Sequence, residues 1–178
     1  RTLLANQWKV DRDEANHYRR SVYLFARRNL RDPLFDVFDR PDANASCPVR
    51  NRSTTSPQAL ELFNSKFALD MARRMAGRAL SEIGSGEYND ALDTLDGKLA
   101  RAIHAAYSVA YARLPNEQEL SASLEFLRGQ ARQLSREPLD ANLVAPLPAS
   151  NLVPAAEAAS LVEFCLALLN SSEFLYLD

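Results

Sequence analysis

The sequence predicts a mainly α-helical protein: a compact bundle of about four long helices, with short N-terminal elements and an ordered polar loop ahead of them. Apolar residues recur at three- and four-residue spacing through four long stretches, the pattern of helices buried along one face. Capping signals open three of those stretches, at Ser56-Pro57, Asn116 with Glu119, and Pro154. Breaks at Gly84-Ser85-Gly86 and Pro115 leave short connections, and helices joined in that way pack antiparallel. We expect a single helical domain over residues 1–178, with a ragged start at 1–12, a polar loop at 39–55 and a proline-containing loop at 136–153.

The elements follow in order. Ser21-Val22-Tyr23-Leu24-Phe25 reads either as a short strand or as the middle of a helix starting near Asp13. Pro33 sits well in the first turn of a short helix carrying Leu34, Phe35, Val37 and Phe38, which must end before Pro41. Ser56 is the expected cap of a helix running to about Leu80, with Leu60, Phe63, Phe67, Met71 and Met75 as its apolar stripe. Arg73, Arg74 and Arg78 then fall near its C-terminal end, where positive charge opposes the helix dipole.

The next helix is expected over Asn89–Arg113, burying Leu92, Leu95, Leu99, Ile103, Ala106, Tyr107 and Ala110, with Pro115 ending it. Its many alanines allow another helix to approach closely. The Asn116/Glu119 capping box opens a third helix to about Ser135, with Leu120, Leu124, Leu127, Ala131 and Leu134 inward. After the loop, Pro154 starts a last long helix ending near Asn170, with Leu161, Phe164, Cys165, Leu168 and Leu169 as its core face. Ser171-Ser172-Glu173 begins a final turn delivering Phe174, Leu175 and Tyr176, which should be docked because exposed they would make a sticky tail.

Composition narrows the function. The apolar fraction of 47% and charged fraction of 25% over 178 residues are those of a globular protein with a real core. Net charge is −2, from 21 Lys+Arg against 23 Asp+Glu, so no global field attracts phosphate and nucleic acid is not the expected partner. Arginines crowd residues 1–52, but aspartates accompany them, and internal Arg–Asp pairing is the expected use. No membrane span or signal peptide is visible in the sequence, and from the start at Arg1 without methionine we expect a mature or partial chain. The two cysteines, Cys47 and Cys165, are far apart, and spacing does not decide whether they bridge. With no CxxC, no CxxCH and two histidines, the sequence offers no cofactor and no metal site. His17 and His104 are isolated, and His104 reads as a satisfied helix histidine.

The densest chemistry lies in Phe38-Asp39-Arg40-Pro41-Asp42 and Cys47-Pro48-Val49-Arg50-Asn51-Arg52-Ser53-Thr54-Thr55-Ser56-Pro57-Gln58. Polar residues in irregular backbone are costly to order, so such a segment either binds something or is held by a polar network. We single out Asp39, Asp42, Cys47, Arg50, Arg52, Ser53, Thr54, Gln58 and Asn64 as that ligand-binding or structural network, with no catalytic residue assigned. Arg50 and Arg52 ahead of a helix start would seat an anion, or hold Asp39 and Asp42 internally. Asp36, Asp39 and Asp42 recur at intervals of three, but the glycine and terminal glutamate of a calcium hand are missing, so salt bridging is the expected use. Nearby guanidinium charge can activate a thiol, yet nothing brings a histidine to Cys47, and we expect a buried structural thiol. Trp8 in the ragged N-terminal segment would either cover the bundle or stack on a sugar.

Several of these segments together resemble one family. Arg19-Arg20-Ser21-Val22-Tyr23, the Phe38–Asp42 and Cys47–Thr54 segments, Gln58-Ala59-Leu60, Asn64, Ala110-Tyr111-Ala112-Arg113-Leu114-Pro115 and the tail Leu168–Tyr176 look like the C-terminal domain of unknown function (domain-of-unknown-function family 1553) of large secreted planctomycete proteins. The likeness covers nearly the whole chain; the opening Arg1–Asp11 departs from it, being too short and unpatterned for the upstream part of the family domain. The resemblance implies an exported, periplasmic or extracellular setting in a bacterial multidomain protein. Its neighbours there would be a cytochrome-c-like domain, a second uncharacterised domain and sometimes a carbohydrate-binding-type module. It implies no reaction, and the haem motif belongs to the upstream domain. The expected function is therefore a non-catalytic structural or interaction domain whose partners are other domains of the same polypeptide. The alternative is an anion- or carbohydrate-binding or enzymatic domain using the Asp39–Arg52 loop.

Overall fold

The computed structural model describes residues 11–13, 16, 20–23, 33–41, 44, 46–49, 53, 55–84, 94–136 and 144–176. Helices account for the regular structure, and there is no strand among the described residues. The chain forms two compact units, Arg1–Ser53 and Thr54–Asp178.

In the first unit Ser21–Tyr23 is a single 3-10 turn, which settles the open choice at that segment against a strand for those residues; Leu24 and Phe25 lie outside the described ones. Helix α1 spans Pro33–Val37, as Pro33 and Pro41 dictate. Its end is a Schellman turn. Asp39 takes the left-handed conformation at φ 54°, and the Arg40 N–H donates to the Phe35 carbonyl at 3.0 Å.

The second unit holds α2 (Ser56–Asn64), α3 (Lys66–Gly84), α4 (Leu95–Tyr111), α5 (Glu117–Leu134), α6 (Ala155–Leu169) and the short α7 (Ser172–Leu175). The four long helices expected are α3 to α6. Helix α6 packs on α5 and α3, and α3 packs on α4. The central place of α6 follows from its sequence. A helix that is apolar all round has no wet face to offer. Ala158, Ala159, Leu161, Val162, Phe164, Cys165 and Leu168 are all buried, and the buried Ser160 satisfies its hydroxyl on the Glu157 carbonyl at 2.9 Å.

Several expectations need correcting. The helix expected from Ser56 to Leu80 is two helices, capped by Thr55 instead of Ser56 and interrupted at Ser65. Ser65 is extended (φ −71°, ψ 144°), and its hydroxyl accepts from Ala68 N–H at 3.2 Å. A serine side chain competing for backbone donors is what restarts the helix there. The break puts the stripe out of phase. Leu60, Phe63 and Phe67 are 59%, 52% and 58% exposed, while Met75 is buried among Ala68, Ala72, Ala76, Ala79, Leu80 and Ile83. Because α3 continues to Gly84, Arg73, Arg74 and Arg78 are not in its last turn and do not oppose its dipole.

Helix α4 is shorter than expected at both described ends: Thr94 caps it, and Ala112 closes it in the left-handed conformation (φ 54°), ahead of Pro115. Leu95 is exposed, not buried, and Leu92 lies outside the described residues. The buried Leu99, Ile103, Ala106 and Tyr107 match the expected face; Ala102 is buried as well, and Ala110 is half-buried. The described part of the proline-containing loop, residues 144–153, lies on α3. There the Leu147 N–H donates to the Arg73 carbonyl at 2.9 Å, and Arg73 Nε donates to the Ala145 carbonyl at 2.7 Å. At the C-terminus Phe174, Leu175 and Tyr176 are substantially exposed, so the expected docking of all three is not what is found.

Candidate functional site

The polar loop begins at Asp39, and its left-handed backbone explains its residue type. That conformation costs roughly 1–2 kcal/mol for most L-residues and is tolerated best by glycine, asparagine and aspartate. Here the carboxylate is used as well: Asp39 Oδ2 accepts from both the Ser53 N–H and the Ser53 hydroxyl, each at 2.7 Å. The two hydrogen bonds close residues 39–53 into a loop with its ends together. Arg40 turns the other way, its guanidinium carbon 5.9 Å from the centre of the Phe35 ring. The structure thus brings Asp39 and Ser53 together. Asp42, Arg50, Arg52 and Thr54 lie outside the described residues.

Cys47 is a correction. Its thiol is exposed rather than buried and donates to the Val49 carbonyl at 3.1 Å. Cys165 is also a free thiol, but it is buried in α6, and burial pushes its pKa up. One thiol per chain should therefore react with iodoacetamide under native conditions, at Cys47, and the second only on unfolding. Two thiols reacting at similar native rates would contradict this burial.

Gln58 and Asn64 belong to the second unit. Gln58 Oε1 accepts from the Thr55 N–H at 3.2 Å while its own N–H donates to the Thr55 carbonyl at 3.1 Å, so it holds the start of α2. Asn64 is exposed at the last position of α2.

A polar centre that sequence reasoning did not single out lies at Arg113. The left-handed Ala112 turns the chain so that the Arg113 guanidinium reaches two carboxylates. Nη1 and Nη2 donate to Glu119 at 2.9 and 2.8 Å, and Nε and Nη2 donate to Glu173 at 2.7 and 2.8 Å. The remaining Nη1 proton goes to the Leu114 carbonyl at 3.1 Å, which uses all five donors of the fork. The same group lies 5.4 Å from the ring centres of both Tyr107 and Tyr111, which stand edge to face. Tyr111 donates its hydroxyl to Ser171 Oγ at 2.8 Å, and Ser171 caps α7 by accepting from the Phe174 N–H. Asn170 Nδ2 donates to the Leu62 carbonyl at 3.3 Å and to Leu166 at 2.8 Å, tying the end of α6 to α2. The Ala110–Pro115 and Asn170–Glu173 segments therefore meet each other. The available signal was their shared arginine, tyrosine and acidic content, but the pairing spans 60 residues and has no local period.

Electrostatics fit this clamp. The Arg113 hydrogen bonds, then the Asn116 N–H, hold Glu119 down at about 2, and Arg113 lowers Glu173 as well. Carboxyls depressed in the folded state stabilise it above the unfolded carboxylate range, and that contribution is lost as pH falls toward the folded value. Wild type should thus melt higher than Arg113→Met at neutral pH, and the gap should close as pH falls toward about 2. A gap that stays constant over that range would show that the ion pairs are not its source.

Among the described residues no three metal-ligating side chains cluster, and no helix is long and apolar enough to cross a membrane. A family model described as "PSD1: Protein of unknown function (DUF1553)" matches residues 2–127. The matched region takes in the opening segment that the sequence reading set apart, and it stops before the tail. No curated protein and no solved structure matches the chain.

Proposed function

Since the chain belongs to this family of proteins of unknown function, we propose that it is a non-catalytic structural or interaction domain of an exported bacterial multidomain protein. Its partners would be neighbouring domains of the same polypeptide, including a cytochrome-c-like one. The observation that carries this reading is the exposure of large apolar side chains on α2 and at the start of α3 in the second unit. Leu60, Phe63 and Phe67 are each more than half exposed, although their spacing is that of a buried face. Support also comes from how the polar signature residues are used. Asp39 receives Ser53, and Arg113 is saturated by Glu119, Glu173 and Leu114, so that fork has no donor left for a ligand.

The test compares the chain alone with the same chain joined to its natural flanking domains. Hydroxyl-radical labelling of Phe63 and Phe67 should fall several-fold in the longer polypeptide. Equal labelling in both would remove the interaction reading of this face.

A further inference from the structure

We propose that the first unit carries a binding site for a small carboxylate with a ring-shaped apolar body, in the cleft formed by Ser21, Val22, Phe35, Phe38, Arg40 and Pro41. The cleft has a volume of about 260 Å³, and every described lining residue comes from the Ser21–Tyr23 turn, α1 or the segment closing α1. This is room for one small ring with a charged substituent. The walls are two phenyl rings, a valine and a proline, so water gains little from occupying it and an apolar body gains from displacing that water.

The charge of the lining selects among apolar ligands. Among the described lining residues Arg40 is the only charged one, and none of them is a carboxylate that would oppose it. Among the described residues the Arg40 side chain has neither a hydrogen-bond acceptor nor an ion-pair partner; its contact is the face of Phe35. In this it differs from Arg113, whose five donors are all engaged. The contact with Phe35 uses no N–H of the guanidinium, whose planar fork is the group that a carboxylate accepts in bidentate fashion. The Schellman turn fixes the base of that side chain, because the Arg40 N–H is spent on Phe35. Little further ordering is then needed on binding. Ser21 also lines the cleft, and its hydroxyl is the further polar side chain available to a ligand among the described lining residues. The described lining residues all belong to the first unit, and the site does not depend on the exposed apolar residues of α2 and α3.

The experiment is an NMR titration of the full chain with benzoate, with cyclohexanecarboxylate, and with benzamide as the neutral match. The Arg40 Nε–H and the Phe35 and Phe38 ring signals are followed in wild type, Arg40→Gln and Arg40→Lys. Both carboxylates should shift those three residues, and benzoate should bind at least roughly tenfold more tightly than benzamide, as loss of a charge-assisted hydrogen bond implies. Arg40→Gln should bring benzoate and benzamide to parity with an otherwise unchanged spectrum, and Arg40→Lys should fall between. Equal binding of benzoate and benzamide to wild type overturns the proposal. So do shifts centred away from Arg40, or no shift at all at millimolar ligand.

Discussion

Gly77→Ala should destabilise the protein by about 3 kcal/mol, a fall in Tm of roughly 10 °C for a domain of this size. The sign is the informative part. Gly77 lies inside α3, where replacing glycine by alanine ordinarily gains roughly 0.5–1 kcal/mol. At this position a Cβ would overlap the Leu147 carbonyl and stand 2.7 Å from the Pro148 nitrogen. Those are backbone atoms of the proline-containing loop, which no side-chain rotation can move aside. The same loop is fastened to α3 one turn earlier by the two hydrogen bonds at Arg73. A methyl group at Gly77 must therefore push the loop off the helix or distort both, and the Leu147 amide should lose its protection from hydrogen exchange. Gly129 supplies the control. It is also inside a helix, α5, and a Cβ there meets nothing within 4 Å. Gly129→Ala should raise stability by roughly 0.5–1 kcal/mol. Paired urea or thermal melts decide the matter: two substitutions of the same kind should move in opposite directions. If Gly77→Ala is as stable as wild type, the close approach of the loop to α3 is wrong.

Leu161→Ala should cost about 3 kcal/mol, within the 2–5 kcal/mol spread of buried leucine truncations, and lower Tm by roughly 10 °C. Leu161 is 0% exposed and belongs to the core cluster with Leu80, Leu99, Ile103 and Leu127, one or more from each neighbouring long helix. Since α6 is enclosed by α3 and α5 and also touches α4, no mobile surface is available to close over the lost methyl groups. Leu114, 64% exposed, is the contrast: Leu114→Ala should change stability by no more than about 0.5 kcal/mol. Chemical denaturation of both variants tests the arrangement. Equal effects would mean that α6 is not central to the bundle.

The family relation leaves the biochemical role open, which is why the apolar face at Leu60, Phe63 and Phe67 and the Arg40 cleft are the places to look. They ask different questions. The first concerns which surface of a larger polypeptide covers the helix, and the second which small anion the N-terminal unit accepts. Either answer can stand without the other.

Much of this was written locally in the chain. Pro33 and Pro41 bound α1, Asn116 and Glu119 open α5 as a capping box, and Ser171 caps α7, because each acts on backbone groups within a few residues. The core face of α6 at Leu161, Phe164, Cys165 and Leu168 was legible too, but its central place, with Ala158, Ala159 and Val162 buried as well, was not read from the sequence. Nor was the interruption at Ser65, since a serine within an apolar period can remain in a helix or restart one. That one residue decided the fate of Leu60, Phe63 and Phe67. Gly77 reads in sequence only as a helix weakness; its purpose is a loop some seventy residues away. The Arg113 clamp likewise joins Glu119 to Glu173, and no short-range pattern announces a partner at that separation. Capping and burial period are properties of neighbouring residues, so sequence alone determined them. Which polar group meets which, and where a side chain must be absent, depend on segments brought together by the bundle, and only the tertiary structure decided those.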